Sequence, residues 1–217
     1  MQEQIQQISL WILPILVAVV FHEVAHGYVA NWCGDDTAKR SGRLTLNPIP
    51  HIDPMGSVIV PVLLLVLNTG LLFGWAKPVP VNFAALKRPR RDMVLVAAAG
   101  PVVNLMLAAA SALVFHSILR AAPDLPVAAA NTVLFPIALM ARASILMNVF
   151  LGVFNLVPIP PLDGGRVLTG LLPIAWAQPF ARIEPFGFMI LVLLMMTHSL
   201  GAVLERPMRL LLGVLLP

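Results

Sequence analysis

The sequence predicts an all-α polytopic membrane protein, and three observations carry that expectation. Of 217 residues, 59% are hydrophobic and only 11% are charged, whereas soluble domains carry about a quarter charged residues. The mean hydropathy is +0.90, and a water-soluble fold of this size would lack the polar surface to cover its core. The apolar residues also come in long runs divided by short charged loops, as several spans require. The expected architecture is four to six transmembrane helices, with a re-entrant segment and a short β-hairpin at the membrane edge. Residues 1–217 read as a single membrane-embedded domain, with its core at about 8–175 and further helices at about 176–217.

The first run covers residues 8–32. Its only formal charge is Glu23, which sits between His22 and His26. A loop with Asp35, Asp36, Lys39, Arg40 and Arg43 follows and ends in Asn47-Pro48-Ile49-Pro50. The second run is 54–75, and Lys77, Lys87, Arg88, Arg90 and Arg91 then form the most basic patch. The third run is 93–119 and the fourth 131–157, closed by Pro158-Ile159-Pro160-Pro161-Leu162-Asp163-Gly164-Gly165, through which no regular helix passes. The fifth is 185–204. Residues 208–217 are apolar but too short to span, so an interfacial or docked helix is expected there.

Residues 54–75 are long enough to cross once, but Asn68-Thr69-Gly70 is a turn signal near the far end. Both flanking loops are basic, and a single crossing would put one of them outside, against the positive-inside tendency. A re-entrant hairpin keeps both inside. With it, ten Lys and Arg residues fall inside against three outside, Arg120, Arg206 and Arg209, while Arg142 lies within the fourth run. The expected topology is four crossings with both termini outside.

The net charge of +4 and the sequence pI near 10 fit these loops and do not indicate nucleic acid. Cys33 is the only cysteine, which excludes an intrachain disulfide. The first run is too long for a signal-peptide core and lacks a basic leader, so it is expected to stay in the protein.

His22-Glu23-Val24-Ala25-His26 is the sharpest chemical signal. Helix residues four apart share a face with Cβ atoms about 5–6 Å apart, so two imidazoles can meet one zinc at about 2.0–2.1 Å. Glu23, offset from the first histidine, can take a proton from a water that the metal acidifies. Ionisable groups inside an apolar span are costly and usually functional, and a metal gives three of them a common reason.

Catalytic zinc usually has three protein ligands and one open position. Asp163 is the strongest candidate for the third, because it follows the fourth run in a break that can bend a side chain inward. By position alone it reads equally well as a turn aspartate before Gly164. His51 and Asp53 beside the second run are weaker candidates, read as a surface turn or an accessory pair, and His116 is read as a packing or interfacial residue.

Three separated motifs occur in one order: His22-Glu23-Val24-Ala25-His26, then Gly100-Pro101-Val102-Val103-Asn104 opening a later span, then Asn155-Leu156-Val157-Pro158-Ile159-Pro160-Pro161-Leu162-Asp163-Gly164-Gly165 closing another. Together they resemble the site-2 protease family of intramembrane zinc metalloproteases, in its compact prokaryotic branch without PDZ or CBS domains. The stretches Ser41-Gly42-Arg43-Leu44-Thr45-Leu46-Asn47-Pro48 and Gly74-Trp75-Ala76-Lys77-Pro78-Val79-Pro80-Val81-Asn82 also resemble that branch, and the likeness covers about residues 8–175.

The resemblance implies that His22, His26 and Asp163 bind Zn2+ and that Glu23 is the general base. It also implies that Asn155 positions the scissile carbonyl or stabilises its oxyanion, a task an amide donor suits. Asn104 is implied beside the site and is expected to position substrate. The expected partners are transmembrane protein substrates and the lipid bilayer, and the expected location is the prokaryotic cytoplasmic membrane.

The expected function is hydrolysis of peptide bonds in transmembrane substrates. An extended substrate could pair with segments 44–50 and 76–81, which are rich in proline and β-formers, by strand addition. Two rivals differ in class. A metal transporter would spread its ligands over several spans at successive depths, whereas here the candidates cluster. A noncatalytic scaffold would have no use for Glu23.

Overall fold

Where apolar residues run unbroken, the backbone satisfies its own hydrogen bonds as helix, and this sequence does so over most of its length. The computed structural model describes residues 2–67, 74–124 and 126–217. In chain order the helices are α1 (Gln2–Trp32), α2 (Thr37–Arg40), α3 (Val60–Val66), α4 (Pro89–Ala121), α5 (Val127–Ala129), α6 (Phe135–Asn155), α7 (Asp163–Leu171), α8 (Ile174–Ala181), α9 (Glu184–Met196) and α10 (Ser199–Leu215). Among the described residues there is no strand.

Among the described residues, three helical segments are long and apolar enough to cross a membrane: Leu10–Trp32, Pro89–Ala121 and Ala130–Asn155. A fourth follows if Ile174–Ala181 and Glu184–Met196, bent by 68°, are taken as one broken span. The core is a bundle of α1, α4 and α6, with α7 laid on α4 and α10 on α6. Small residues let the backbones approach. Ala97, Gly100, Ala108 and Ala112 of α4 and Ala138, Ala141 and Gly152 of α6 are buried. A β-carbon on Gly152 would stand 3.2 Å from Leu105.

A π-turn (Pro54–Ile59) leads into α3. At Trp75 the chain is back beside the start of the second run: Trp75 N–H donates to Gly56 O at 3.1 Å, and Ser57 Oγ donates to Trp75 O at 2.9 Å. The expected turn at Asn68-Thr69-Gly70 lies outside the described residues.

Two sequence expectations are corrected. No β-hairpin forms over 44–50. Thr45 Oγ1 accepts the Asn47 N–H and Asn47 Oδ1 accepts the Ile49 N–H, so side chains curl the backbone into a 3-10 turn at Ile49–His51. Pro48 and Pro50 also withhold ladder donors. The fifth run is not one helix to residue 204. α9 stops at Met196, where Thr197 Oγ1 donates back to Leu193 O at 3.0 Å and His198 adopts φ 58°. Residues 208–215 are therefore the second half of α10 rather than a separate helix.

Segment 76–82 is extended and crosses over α1, tied at three points. Lys77 N–H donates to His51 O (2.9 Å), Arg43 Nη2 to Lys77 O (2.7 Å), and Asn82 N–H to Asp35 Oδ2 (2.6 Å).

Candidate metal centre

Three ligand atoms from distant parts of the chain converge. His22 Nε2 and His26 Nε2 lie 3.1 Å apart, and Asp163 Oδ2 lies 3.2 Å from the first and 3.3 Å from the second. All three side chains are buried. Among the described residues they form the only His, Cys, Asp or Glu group that could hold a metal ion.

The protonation of the histidines follows from their other nitrogens. His26 Nδ1 lies 2.7 Å from Val96 O, which can only accept, so Nδ1 carries the proton. His22 Nδ1 lies 2.6 Å from Asn104 Oδ1. That amide is oriented by its Nδ2, which donates to Ala18 O (3.1 Å) and to Asn148 Oδ1 (2.8 Å). Asn148 is oriented in turn, since its Nδ2 donates to Ser144 O (2.9 Å). Backbone carbonyls thus fix the chain of amides, and His22 is also protonated at Nδ1.

In the neutral imidazoles both Nε2 atoms then present lone pairs to Asp163 Oδ2, which is buried and has no hydrogen-bond partner. Three such acceptor atoms facing one another are satisfied by a cation. The spacing fits zinc: bonds of about 2.0–2.1 Å at tetrahedral angles set ligand atoms about 3.3 Å apart. Two imidazoles and a carboxylate, each imidazole anchored through its far nitrogen, are a donor set that suits it.

Local sequence builds this arrangement. The four-residue spacing stacks the histidines on one face of α1, with ring centroids 4.6 Å apart. Gly100 of α4 packs directly against both rings. Asp163 opens α7, and the two glycines after it let that first turn dock on the preceding loop. A β-carbon on Gly164 would lie 2.2 Å from Leu156 O, and one on Gly165 would lie 2.4 Å from Pro160 N.

The three ligand atoms open onto a cavity of about 250 Å3 that is also lined by Glu23, Val79, Asn155 and Arg166. Glu23 Oε2 accepts the Val79 N–H at 2.7 Å. Asn155 Nδ2 donates to Leu151 O at 3.0 Å, which uses one of its two amide protons.

Asn104, expected to position substrate, is 0% exposed, and its amide is taken up by His22, Ala18 and Asn148. His51, Asp53 and His116 stay apart from the cluster. His51 is buried with Nε2 on Thr45 O (2.9 Å), Asp53 caps the π-turn through the Gly56 N–H (2.7 Å), and His116 Nε2 meets Leu215 O (3.1 Å) at the end of α10.

Sequence reading missed Asn148, Arg166 and the Val79 N–H. Asn148 carried a usable signal, a polar residue in the middle of an apolar run. The other two are visible only once the chain is folded.

The sequence model of peptidase family M50 matches residues 122–198. The chain is 42% identical to YwhC of Bacillus subtilis over 199 residues, 91% of this chain and 84% of that protein. It is 32% identical to Rip2 of Mycolicibacterium smegmatis over 188 residues and 31% identical to Rip2 of Mycobacterium tuberculosis H37Rv over 190 residues, in both cases covering 86% of this chain and 66% of the relative. Each is named "Putative zinc metalloprotease". No solved structure matches. With a relative at 42% identity across 91% of its length, the chain belongs to peptidase family M50, the site-2 protease family of membrane-embedded zinc metalloproteases.

Proposed function

We propose that this protein hydrolyses peptide bonds within the membrane-spanning segments of other proteins, using zinc held by His22, His26 and Asp163. The observation that carries the reading is the convergence of two imidazole nitrogens and a carboxylate oxygen in the cavity that also holds the Glu23 carboxylate. When bound, zinc polarises the scissile carbonyl and acidifies water.

The chain's own groups do the rest. Glu23 takes a proton from the attacking water as the oxygen–carbon bond forms, and delivers it to the amine nitrogen as the carbon–nitrogen bond breaks. The second amide proton of Asn155 points the reading to the carbonyl oxygen, where negative charge develops. Asn104 and the Val96 carbonyl keep both imidazoles in the tautomer that leaves Nε2 free. A helical substrate shields its peptide bonds, so it must be unwound to reach the cavity.

The same reading makes the chain one membrane unit with four crossings, both termini outside, and a re-entrant segment over 54–75 in the cytoplasmic membrane of a prokaryote. The return of Trp75 to Gly56 supports the re-entrant segment. The tail from about residue 176 braces the site. A β-carbon on Gly187 of α9 would lie 1.7 Å from Pro160 O, and Glu184 meets Arg166 at 3.2 Å.

The test is cleavage of a transmembrane reporter substrate by purified enzyme. Glu23→Gln should abolish cleavage and keep its zinc, and retained activity would overturn the reading. Zinc uptake into sealed vesicles, if it occurred, would favour a transporter instead.

A further inference from the structure

The segment that crosses α1 has an unusual donor pattern. In Lys77-Pro78-Val79-Pro80-Val81, the two prolines carry no N–H. Val79 therefore supplies the only backbone donor between Lys77 and Val81, and that donor meets Glu23 Oε2 at 2.7 Å. The prolines also fix their own φ and confine the residues before them, Lys77 and Val79, to extended conformations. The result is a stiff strap with one N–H to offer.

The strap is seated with matching specificity. Gly27 lies one turn beyond Glu23, on the same face of α1. A β-carbon there would stand 2.9 Å from Val79 Cγ1 and 2.5 Å from Leu44 Cδ2, so the glycine makes the hollow that receives Val79, which is 7% exposed. The α1 backbone uses its own carbonyls within the helix, which leaves the Glu23 carboxylate to accept the Val79 N–H.

The strap is also held by Arg43, a residue only 8% exposed. Its Nη2 donates to Lys77 O at 2.7 Å and reaches Pro78 O at 3.4 Å. A buried cation is costly unless well paired, and this one is directed at the two carbonyls immediately before the Val79 N–H.

We infer that Val79, through its backbone N–H, is the positioning residue for Glu23, and that Arg43 holds that N–H in place. With Oε2 fixed, the carboxylate has one orientation, and Oε1 is the oxygen that receives the proton of the attacking water. The segment thus belongs to the catalytic apparatus and is more than an edge for substrate to pair with. This inference rests on the assignment of Glu23 as proton acceptor.

The experiment replaces valine 79 by its α-hydroxy acid analogue, which exchanges the N–H for an ester oxygen and leaves the side chain. Zinc content and KM for the transmembrane reporter should stay at wild-type values while kcat falls about 10- to 100-fold, as for a lost hydrogen bond to a charged group. Val79→Ala, which keeps the N–H but leaves the Gly27 hollow partly empty, should lower kcat less than the ester does. Arg43→Met should lower kcat like the ester, and Arg43→Lys, which restores one donor, should recover part of the loss.

An unchanged kcat in the ester variant overturns the inference, as does a raised KM with kcat intact, which would make the strap a substrate-pairing edge. If the ester variant fails to retain zinc, the comparison of Arg43→Met with Arg43→Lys decides by the same split. Glu23→Gln run alongside separates the two levels. Activity in that variant removes the base assignment itself, whereas inactivity there with a fully active ester variant removes only the role of Val79.

Discussion

Gly100 stands where a β-carbon would lie 2.5 Å from Nε2 of His26, with His22 Cε1 only slightly farther at 2.6 Å. The α4 backbone thus forms one wall of the metal centre. Gly100→Ala should displace the rings, so zinc per purified chain, measured by atomic absorption, should fall well below that of wild type. Circular dichroism should show the helices intact, because α4 gains a better helix former at that position.

Asn104 acts on His22 from behind. Asn104→Leu keeps a similar volume but leaves the His22 Nδ1–H and Asn148 Oδ1 without their buried partner. Zinc affinity should weaken about 10–100-fold, the usual effect of losing such a support, with a stability loss of about 1–3 kcal/mol. Competition with a zinc-sensitive chelator and thermal unfolding in detergent read the two effects separately.

Some glycines lie against backbone and others face open space. Gly164→Ala would press a methyl against Leu156 O, and the backbone on both sides resists, so overpacking of about 1–3 kcal/mol is expected, together with weaker zinc binding at the adjacent Asp163. Gly201 and Gly213 on α10 have no atom within 4 Å of a β-carbon. Alanine at either should raise the melting temperature, by removing a penalty of about 0.5–1 kcal/mol.

Outside the spans, Asp35 is a pH-sensitive clasp. Burial pushes its carboxyl up, but the Thr37 hydroxyl and N–H and the Asn82 N–H outweigh burial and hold its pKa below the ordinary carboxylate value. A lowered folded pKa means that the stabilisation is complete above the unfolded value of about 3.9 and drains away as pH falls through the folded one. Melting temperature should drop with acid below about pH 4 in wild type, and that part of the drop should be missing in Asp35→Asn.

Much of the fold was legible because lipid leaves few options: apolar runs near α1, α4 and α6 had to be helices. His22, Glu23 and His26 were legible because their relation is local, set by helix periodicity alone. By position alone Asp163 was one of two equal alternatives, since its inward turn depends on Gly164 and Gly165 fitting against Leu156 and Pro160, and the family likeness was what assigned it to the metal. The hydrogen bonds of Asn104 were not legible, because the Asn148 amide that meets it comes from another helix. The break at His198 left no proline or glycine to mark it. The hairpin expected at 44–50 lost to side-chain turns at Thr45 and Asn47, which proline spacing does not reveal.

The two histidines and their aspartate are separated by more than half of the sequence, and that distance has a consequence in time. During synthesis α1 enters the membrane first and carries Glu23 with it, but the third ligand does not exist until α4 and α6 have been made. The nascent chain is therefore a protease that cannot begin work early. Its cutting centre closes only once the bundle around it has been assembled.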